Sequence, residues 1–123
     1  MAQSFRDLVV WQRAMQLTVA IYRLTRDFPR EEQYGLTSQI RRSAVSVSSN
    51  IAEGQGRLNA GEFRQFLGVA RGSNCELQTQ LEIARALEIG NPTSLNEAEG
   101  LSHKIGKMIY SLLESLKEQI REN

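Results

Sequence analysis

Apolar residues recur at the spacing of one helix face along four segments of this 123-residue chain, and this periodicity constrains the fold most. The clearest series lies in the second segment and consists of Leu36, Ile40, Ala44, Val47 and Ile51. No segment alternates apolar and polar residues over the length that a half-buried strand requires. The pattern therefore predicts an all-α protein.

Breaker residues separate the helical segments. Phe28-Pro29 and Gly90-Asn91-Pro92 interrupt the pattern, because the residue before a proline avoids the helical conformation. The predicted helices cover residues 7–26, 34–53, 60–88 and 94 to the end. Short connections favour antiparallel packing of consecutive helices. We expect an up-down-up-down antiparallel four-helix bundle that forms a single domain over residues 1–123.

Residues at the predicted helix ends have specific expected roles. Gly54 and Gly56 are expected to end the second helix, because glycine adopts the left-handed conformation found at helix termini. Asn59 is expected to cap the third helix, and Glu62 three residues later completes a capping-box variant. Ser94 is expected to cap the fourth helix. The apolar face predicted for the first helix comprises Leu8, Trp11, Met15, Thr18, Ile21 and Tyr22.

Composition argues against membrane and secreted classes of protein. No apolar run approaches the roughly 20 residues that span a bilayer, so no membrane partner is expected. The amino terminus has charged side chains within its first apolar stretch and no cleavage signature, so no signal peptide is expected. Cys75 is the single cysteine, which fits a reducing compartment. We expect a cytoplasmic protein.

Side chains suited to catalysis or metal binding are scarce. His103 is the single histidine, and it follows Glu99 by four residues on one predicted helix face. Di-iron bundles take Glu-x-x-His pairs from two helices, which one histidine cannot supply. Cys75 is expected to be a small packed side chain near Leu77, while a Cys–His pair between the third and fourth helices stays open. We expect no enzymatic activity, no catalytic residue, no metal and no cofactor.

Arginines recur at the seven-residue spacing of one helix face, at Arg57, Arg64, Arg71 and Arg85. Seven residues are nearly two helical turns, so the side chains from Arg64 onward are expected to form a stripe. The adjacent Arg41 and Arg42 are candidates to extend it. Three roles fit these residues: a solvated face with ion pairs to nearby glutamates, ion pairs between subunits, or contacts with phosphates.

Charge is distributed unevenly, although the net charge is only +1. Basic residues outnumber acidic ones over residues 38–73, and the reverse holds over residues 74–123. Such segregation can create a basic and an acidic face on one domain. The chain has no helix-turn-helix signature and lacks the interleaved exposed aromatic residues of a stacking platform for single strands. Nucleic-acid binding is therefore expected to rest on backbone electrostatics and to depend weakly on sequence.

Small residues occur where better helix formers were available. Gly68 and Gly72 lie inside the third predicted helix, and each destabilises a helix by about 1 kcal/mol relative to alanine. The second helix also contains four serines: Ser43, Ser46, Ser48 and Ser49. Small side chains let two backbones approach closely. This approach can occur within the bundle or between subunits.

Short motifs in a fixed order resemble those of a known bacterial family. The motifs are Leu8, Val10, Trp11, residues 36–42 (LTSQIRR), residues 49–54 (SNIAEG), Glu62-Phe63, Phe66-Leu67, residues 70–73 (ARGS) and Glu76-Leu77. The family comprises proteins encoded in intervening sequences of 23S rRNA genes, also called four-helix bundle proteins. The polar and glycine positions of its motifs are Asn50, Glu53, Gly54, Glu62, Gly72, Ser73 and Glu76.

The resemblance implies a four-helix bundle that assembles into a homo-oligomeric ring, with five subunits favoured. A related accessory protein of diversity-generating retroelements uses a similar ring to bind nucleic acid and a reverse transcriptase. We therefore expect a non-enzymatic binding or scaffold protein whose leading partner is RNA or another nucleic acid. The alternative is a protein-binding adaptor, such as a reverse-transcriptase accessory ring. The residues expected to bind nucleic acid are Arg41, Arg42, Arg57, Arg64 and Arg71.

Overall fold

Four helices make up the protein, as shown by a computed structural model that describes residues 4–122. The helices are α1 (Val9–Thr25), α2 (Leu36–Gly56), α3 (Ala60–Ala86) and α4 (Pro92–Glu122). Short 3₁₀ turns precede α1 and α2 at Phe5–Asp7 and Arg30–Glu32. The described residues contain no strand, so the predicted all-α class is confirmed.

Each helix packs against its neighbours in sequence, and α1 also packs against α4, which closes the bundle. Within the described residues, the diagonal pairs α1–α3 and α2–α4 do not come within 8 Å between Cα atoms. The cross-section is therefore a square with four outer faces, which we name by the two helices that border each face. The α1–α2 face is opposite the α3–α4 face, and the α2–α3 face is opposite the α1–α4 face.

One continuous apolar core fills the centre of the square. The face predicted for α2 is confirmed, because its whole apolar series is buried. The face predicted for α1 was wrong at two positions, since Met15 is 38% exposed and Tyr22 is 42% exposed. The buried side of α1 instead comprises Val10, Ala14, Leu17, Ile21, Leu24 and Thr25. Apolar residues surround most of α1, so periodicity alone does not select the side that faces the core.

Helix α2 extends through both glycines that were predicted to end it. Gly54 and Gly56 lie within α2, and the left-handed conformation occurs instead at Leu58, where φ is 66°. Gly54 is buried against α3, where an added Cβ would lie 2.7 Å from the Cβ of Phe66. Gly54 is therefore required for the close approach of α2 and α3. It is not required to end α2.

Gly54→Ala is expected to lower the free energy of unfolding by about 1 to 3 kcal/mol, because the added methyl group overpacks the contact with α3. Gly56→Ala is the matched control, since a Cβ there meets nothing within 4 Å. Urea unfolding followed by circular dichroism measures both variants. Equal stability of the two variants would mean that close packing of α2 on α3 does not require Gly54.

Asparagine side chains cap α3 and α4. As predicted, Asn59 Oδ1 accepts a hydrogen bond from the Glu62 N–H at 2.9 Å, and Asn59 Nδ2 donates to the Glu62 carboxylate at 2.5 Å. The prediction that Ser94 caps α4 was wrong, because its N–H donates to Asn91 Oδ1 at 3.0 Å and α4 begins at Pro92. Proline suits the first helical position, where a backbone N–H has no intrahelical partner.

Candidate nucleic-acid interface

The first half of the predicted arginine stripe lies on the α3–α4 face. Arg64 Nε donates a hydrogen bond to the carbonyl oxygen of Leu113 in α4 at 3.4 Å. The Arg71 guanidinium lies 6.0 Å from the centroid of the Tyr110 ring, also in α4. Both arginines therefore share the side of α3 that borders α4, as their seven-residue spacing predicts.

Carboxylates neutralise the second half of the stripe. Arg85 forms an ion pair with Glu99 in which the nitrogen and oxygen are 3.2 Å apart. A hydrogen bond with Glu82 and, after it, the Arg85 guanidinium hold the pKa of Glu99 below its ordinary value, although partial burial opposes this shift. The α3–α4 face is therefore basic where α3 begins and approximately neutral where α3 ends.

A shallow groove of about 530 Å³ lies beside Arg71 on the same face. Its lining also includes Lys107, His103 and Tyr110, and Tyr110 is 54% exposed. The groove thus places a lysine and an exposed aromatic ring next to the arginine. These groups can bind a phosphate and contact a flat base, respectively.

Cys75 lines this groove, and the prediction that it is a packed side chain was wrong. Two residues correspond to about 200° of rotation around a helix, so Cys75 and the buried Leu77 lie on opposite sides of α3. The exposed thiol shares the groove with His103.

Metal-binding and membrane-spanning features are absent from residues 4–122. No group of three or more histidine, cysteine, aspartate or glutamate side chains in this range is arranged to hold a metal ion. Glu99, which shares a helix face with His103, is engaged by Arg85. No helix in the described part of the chain is both long and apolar enough to cross a membrane.

Arg57 lies outside the stripe, at the C-terminal cap of α2. Its guanidinium forms an ion pair with Glu53 at 3.3 Å and lies 5.0 Å from the centroid of the Phe66 ring. This contact matches the solvated ion pair that was one of the three expected roles. It also gives Glu53 a local partner at the join between α2 and α3.

Arg41 and Arg42 do not extend the stripe. Arg41 Nε donates a hydrogen bond to Thr25 Oγ1 at 2.8 Å, and its guanidinium lies 4.5 Å from the centroid of the Tyr22 ring. Both partners belong to α1, so Arg41 lies on the α1–α2 face, opposite the stripe. Arg42 is the next residue of α2 and is exposed. The structure therefore divides the predicted arginines between two faces of the bundle.

Serines of α2 and polar residues of α3 form a continuous polar seam. Ser43 Oγ donates to the Glu76 carboxylate at 2.8 Å, and the Ser46 and Ser73 hydroxyl oxygens are 2.8 Å apart. Asn50 Nδ2 donates to the Ser46 carbonyl oxygen at 2.8 Å. These small side chains let the two helices approach closely while their polar atoms stay hydrogen-bonded.

Comparison with known proteins decides the family. The family model described as 23S rRNA-intervening sequence protein matches residues 6–111, which is most of the chain. The chain belongs to this family.

A solved structure from Bacteroides thetaiotaomicron is similar to this chain, with 26% sequence identity and a TM-score of 0.75. It is described as a protein of unknown function from the S23 ribosomal protein family. The match covers 85% of this chain and 98% of that chain. No curated protein matches the chain.

In this chain, three of the seven motif positions join α2 to α3: Ser73 and Glu76 hydrogen-bond to serines of α2, and Gly54 permits the close approach. Asn50 instead bonds within α2, and Glu62 completes the cap of α3. The motif by which the chain resembles its family is therefore largely a packing motif.

Sequence reasoning missed a buried polar network between α3 and α4. Ser102 Oγ donates to Asn74 Oδ1 at 2.7 Å and accepts a hydrogen bond from Gln78 Nε2 at 2.9 Å. Asn74 Nδ2 donates to the Ser102 carbonyl oxygen at 3.0 Å. The signal was available, because Asn74 occupies a position between Ala70 and Leu77 in the apolar register of α3.

Proposed function

We propose that this protein is a non-enzymatic, cytoplasmic binding protein that assembles into a homo-oligomeric ring of five subunits and binds RNA through phosphate contacts. Each phosphate that a basic side chain neutralises releases condensed counterions, which makes such binding tight at low salt. Contacts to the backbone depend weakly on base sequence. A scaffold role linked to 23S rRNA intervening sequences fits the family to which the chain belongs.

The observation that carries this proposal is the scarcity of ion pairs among the predicted arginines. Within the described residues, Arg57 is the one member of the set with a carboxylate oxygen within 4.0 Å. The charges of Arg41, Arg42, Arg64 and Arg71 are not balanced by an ion pair in the described part of the chain. Unpaired guanidinium groups suit phosphate oxygens, because their planar N–H donors can bind two oxygens at once.

Two glycines support assembly. A Cβ added at Gly68 or Gly72 would meet nothing within 4 Å, so packing within the chain requires neither residue. The alternative that these glycines serve tight packing inside the bundle was therefore wrong. Glycine inside an exposed helix destabilises it by about 1 kcal/mol relative to alanine. If Gly68 and Gly72 lie in a surface between subunits, the contacts between subunits offset this loss of helix stability.

An apolar groove on the α1–α4 face also supports assembly. Its volume is about 510 Å³, and its lining includes Leu8, Val9, Met108 and Leu112. Val9 is 52% exposed, although it is a large apolar side chain. Contiguous apolar surface on a small protein commonly marks an interaction site. Coverage by another copy of the chain would remove this surface from water.

Substituting both Gly68→Ala and Gly72→Ala is expected to shift the protein from rings toward single chains at micromolar concentration, because the added methyl groups occupy the subunit interface. As a single chain, the double variant should unfold at a higher urea concentration than a single chain of the wild type, since alanine favours the helix. Light scattering measures the mass, and Gly56→Ala is the control. A double variant that keeps the wild-type mass would place the interface elsewhere.

Light scattering and RNA binding on one sample test the proposed function. At micromolar concentration, the mass is expected to be five times the 13.9 kDa of a single chain. The same sample should bind RNA oligonucleotides of unrelated sequence at low salt. A stable single chain would contradict the ring. Rings that bind no nucleic acid would contradict RNA binding and favour the protein-binding adaptor.

A further inference from the structure

An open groove on the α1–α2 face combines two tyrosines with two arginines. We name it the tyrosine groove; its volume is about 720 Å³, and its lining includes Tyr22, Tyr34, Ser38, Arg41 and Arg42. Ligand sites in proteins span about 300 to 1,000 Å³, so one nucleotide fits. The expectation that the chain lacks exposed aromatic residues interleaved with its arginines was wrong here, because Tyr22 is 42% and Tyr34 is 91% exposed. The two tyrosines belong to different elements, and only the fold brings them together.

Tyr34 is unusually exposed for a large aromatic residue, at 91%. It lies between the 3₁₀ turn Arg30–Glu32 and the start of α2. Its hydroxyl has no hydrogen-bond partner among the described residues. The ring contributes nothing to the core and is free to stack on a base. Such stacking is the main contact, apart from electrostatics, in proteins that bind single strands without regard to sequence.

Arg41 is held in one orientation inside the tyrosine groove. Besides its bond to Thr25, it donates to the carbonyl oxygen of Tyr22 at 3.5 Å, and its Cζ atom lies over the Tyr22 ring. A guanidinium has five N–H donors, so three of them have no partner in the described part of the chain. Arg42 has no hydrogen bond or ion pair there. Two cations, one of them already oriented, therefore stand beside an exposed ring.

We propose that the tyrosine groove binds one unpaired nucleotide of a single-stranded nucleic acid, with the base stacked on Tyr34 and the phosphate bound by Arg41 and Arg42. This inference rests on the proposed function and names the kind of nucleic acid that this face recognises. A nucleotide consists of a flat base and an anionic phosphate, and the groove offers one matching group for each.

Base pairing decides whether a nucleotide can enter the tyrosine groove. In a duplex, each base is stacked between its neighbours, so its flat face is not available to a tyrosine ring. An unpaired base in a loop or single strand can be splayed out and stacked on an aromatic side chain. The groove therefore favours single strands over duplexes, whereas the unpaired arginines alone would bind both.

Fluorescence anisotropy with three labelled oligonucleotides tests the tyrosine groove: a single-stranded RNA, the same sequence as DNA, and the RNA duplex of equal length. Wild-type protein of measured mass should bind the single strands more tightly than the duplex. Tyr34→Ala should weaken single-strand binding about tenfold and leave duplex binding unchanged. Tyr34→Phe should bind as the wild type does, because it keeps the ring. The single-stranded DNA should lose affinity in Tyr34→Ala to the same extent, because stacking of a base on the ring does not require the ribose hydroxyl.

Leu87→Ala is the control, because Leu87 is also exposed, at 60%, and lies at the same end of the bundle. Equal single-strand affinity of the wild type and Tyr34→Ala would overturn the assignment of the groove and leave nucleic-acid binding intact. A change of mass in Tyr34→Ala would also overturn it, because the groove would then be a subunit interface. Wild-type protein that binds none of the three oligonucleotides would contradict the proposed function itself.

Discussion

Leu77→Ala is expected to lower the free energy of unfolding by about 2 to 5 kcal/mol, because a buried leucine is truncated in a closely packed core. Leu77 is 0% exposed and lies near the middle of α3. Urea unfolding followed by circular dichroism measures the loss. Because it leaves a cavity in the core, this truncation should lower the free energy of unfolding as much as any single truncation in the bundle.

Leu112 provides a graded comparison for the same experiment. One helix face of α4 is marked by the apolar series Leu101, Ile105, Met108, Leu112 and Leu116, which predicts that Leu112→Ala is as damaging as Leu77→Ala. In the structure, however, Leu112 is only partly buried, and the adjacent Leu113 is buried. Leu112→Ala should therefore lower stability less than Leu77→Ala. Val69→Ala, at a position of α3 that is 52% exposed, should change it least. If the Leu77→Ala variant is as stable to urea as the Val69→Ala variant, the faces of α3 are wrongly assigned.

Substituting both Arg64→Gln and Arg71→Gln is expected to weaken RNA binding across unrelated sequences. Two phosphate contacts are lost, and each lost contact should reduce the slope of log K against log salt by about 0.7 for single strands. Filter binding at several salt concentrations measures both the affinity and the slope. Light scattering on the same samples distinguishes a loss of binding from a loss of assembly, because Gly68 and Gly72 lie on the same side of α3 as these arginines.

The paired arginines supply a matched control. Arg57→Gln with Arg85→Gln removes the same charge from the same residue type, but these side chains are already paired with Glu53 and Glu99. This second double variant should therefore change the salt slope less. Equal slopes for the two double variants would show that overall charge, and not the unpaired arginines of the α3–α4 face, governs binding.

Periodicity predicted the buried face correctly in helices that have one distinctly apolar side. In α2 the series through Ile40, Val47 and Ile51 alternates with polar residues, so one face was available to the core. In α1 apolar residues occur on most sides, and Met15 was assigned to the core although it is exposed. Gly54 shows a different ambiguity, because glycine serves both helix termination and close packing, and sequence does not distinguish the two roles.

The site was predictable within one helix and not between helices. Arg64 and Arg71 share a face because their spacing and the helical geometry of α3 determine it. Whether Arg41 joins them depends on how α2 is rotated in the bundle, which tertiary packing determines. Tyr22 and Tyr34 face the same groove because the turn between α1 and α2 places them there. Contacts between elements of this kind leave no periodic signal in the sequence.

The salt dependence of RNA binding by wild-type protein of measured mass tests the central claim most directly. If the unpaired arginines bind phosphates, log K for single-stranded RNA should fall linearly with log salt, by about 0.7 for each phosphate contacted. Unrelated sequences should share the same steep slope, because backbone contacts carry no base information. Affinity that is independent of salt, or no binding at low salt, would contradict a phosphate-binding protein.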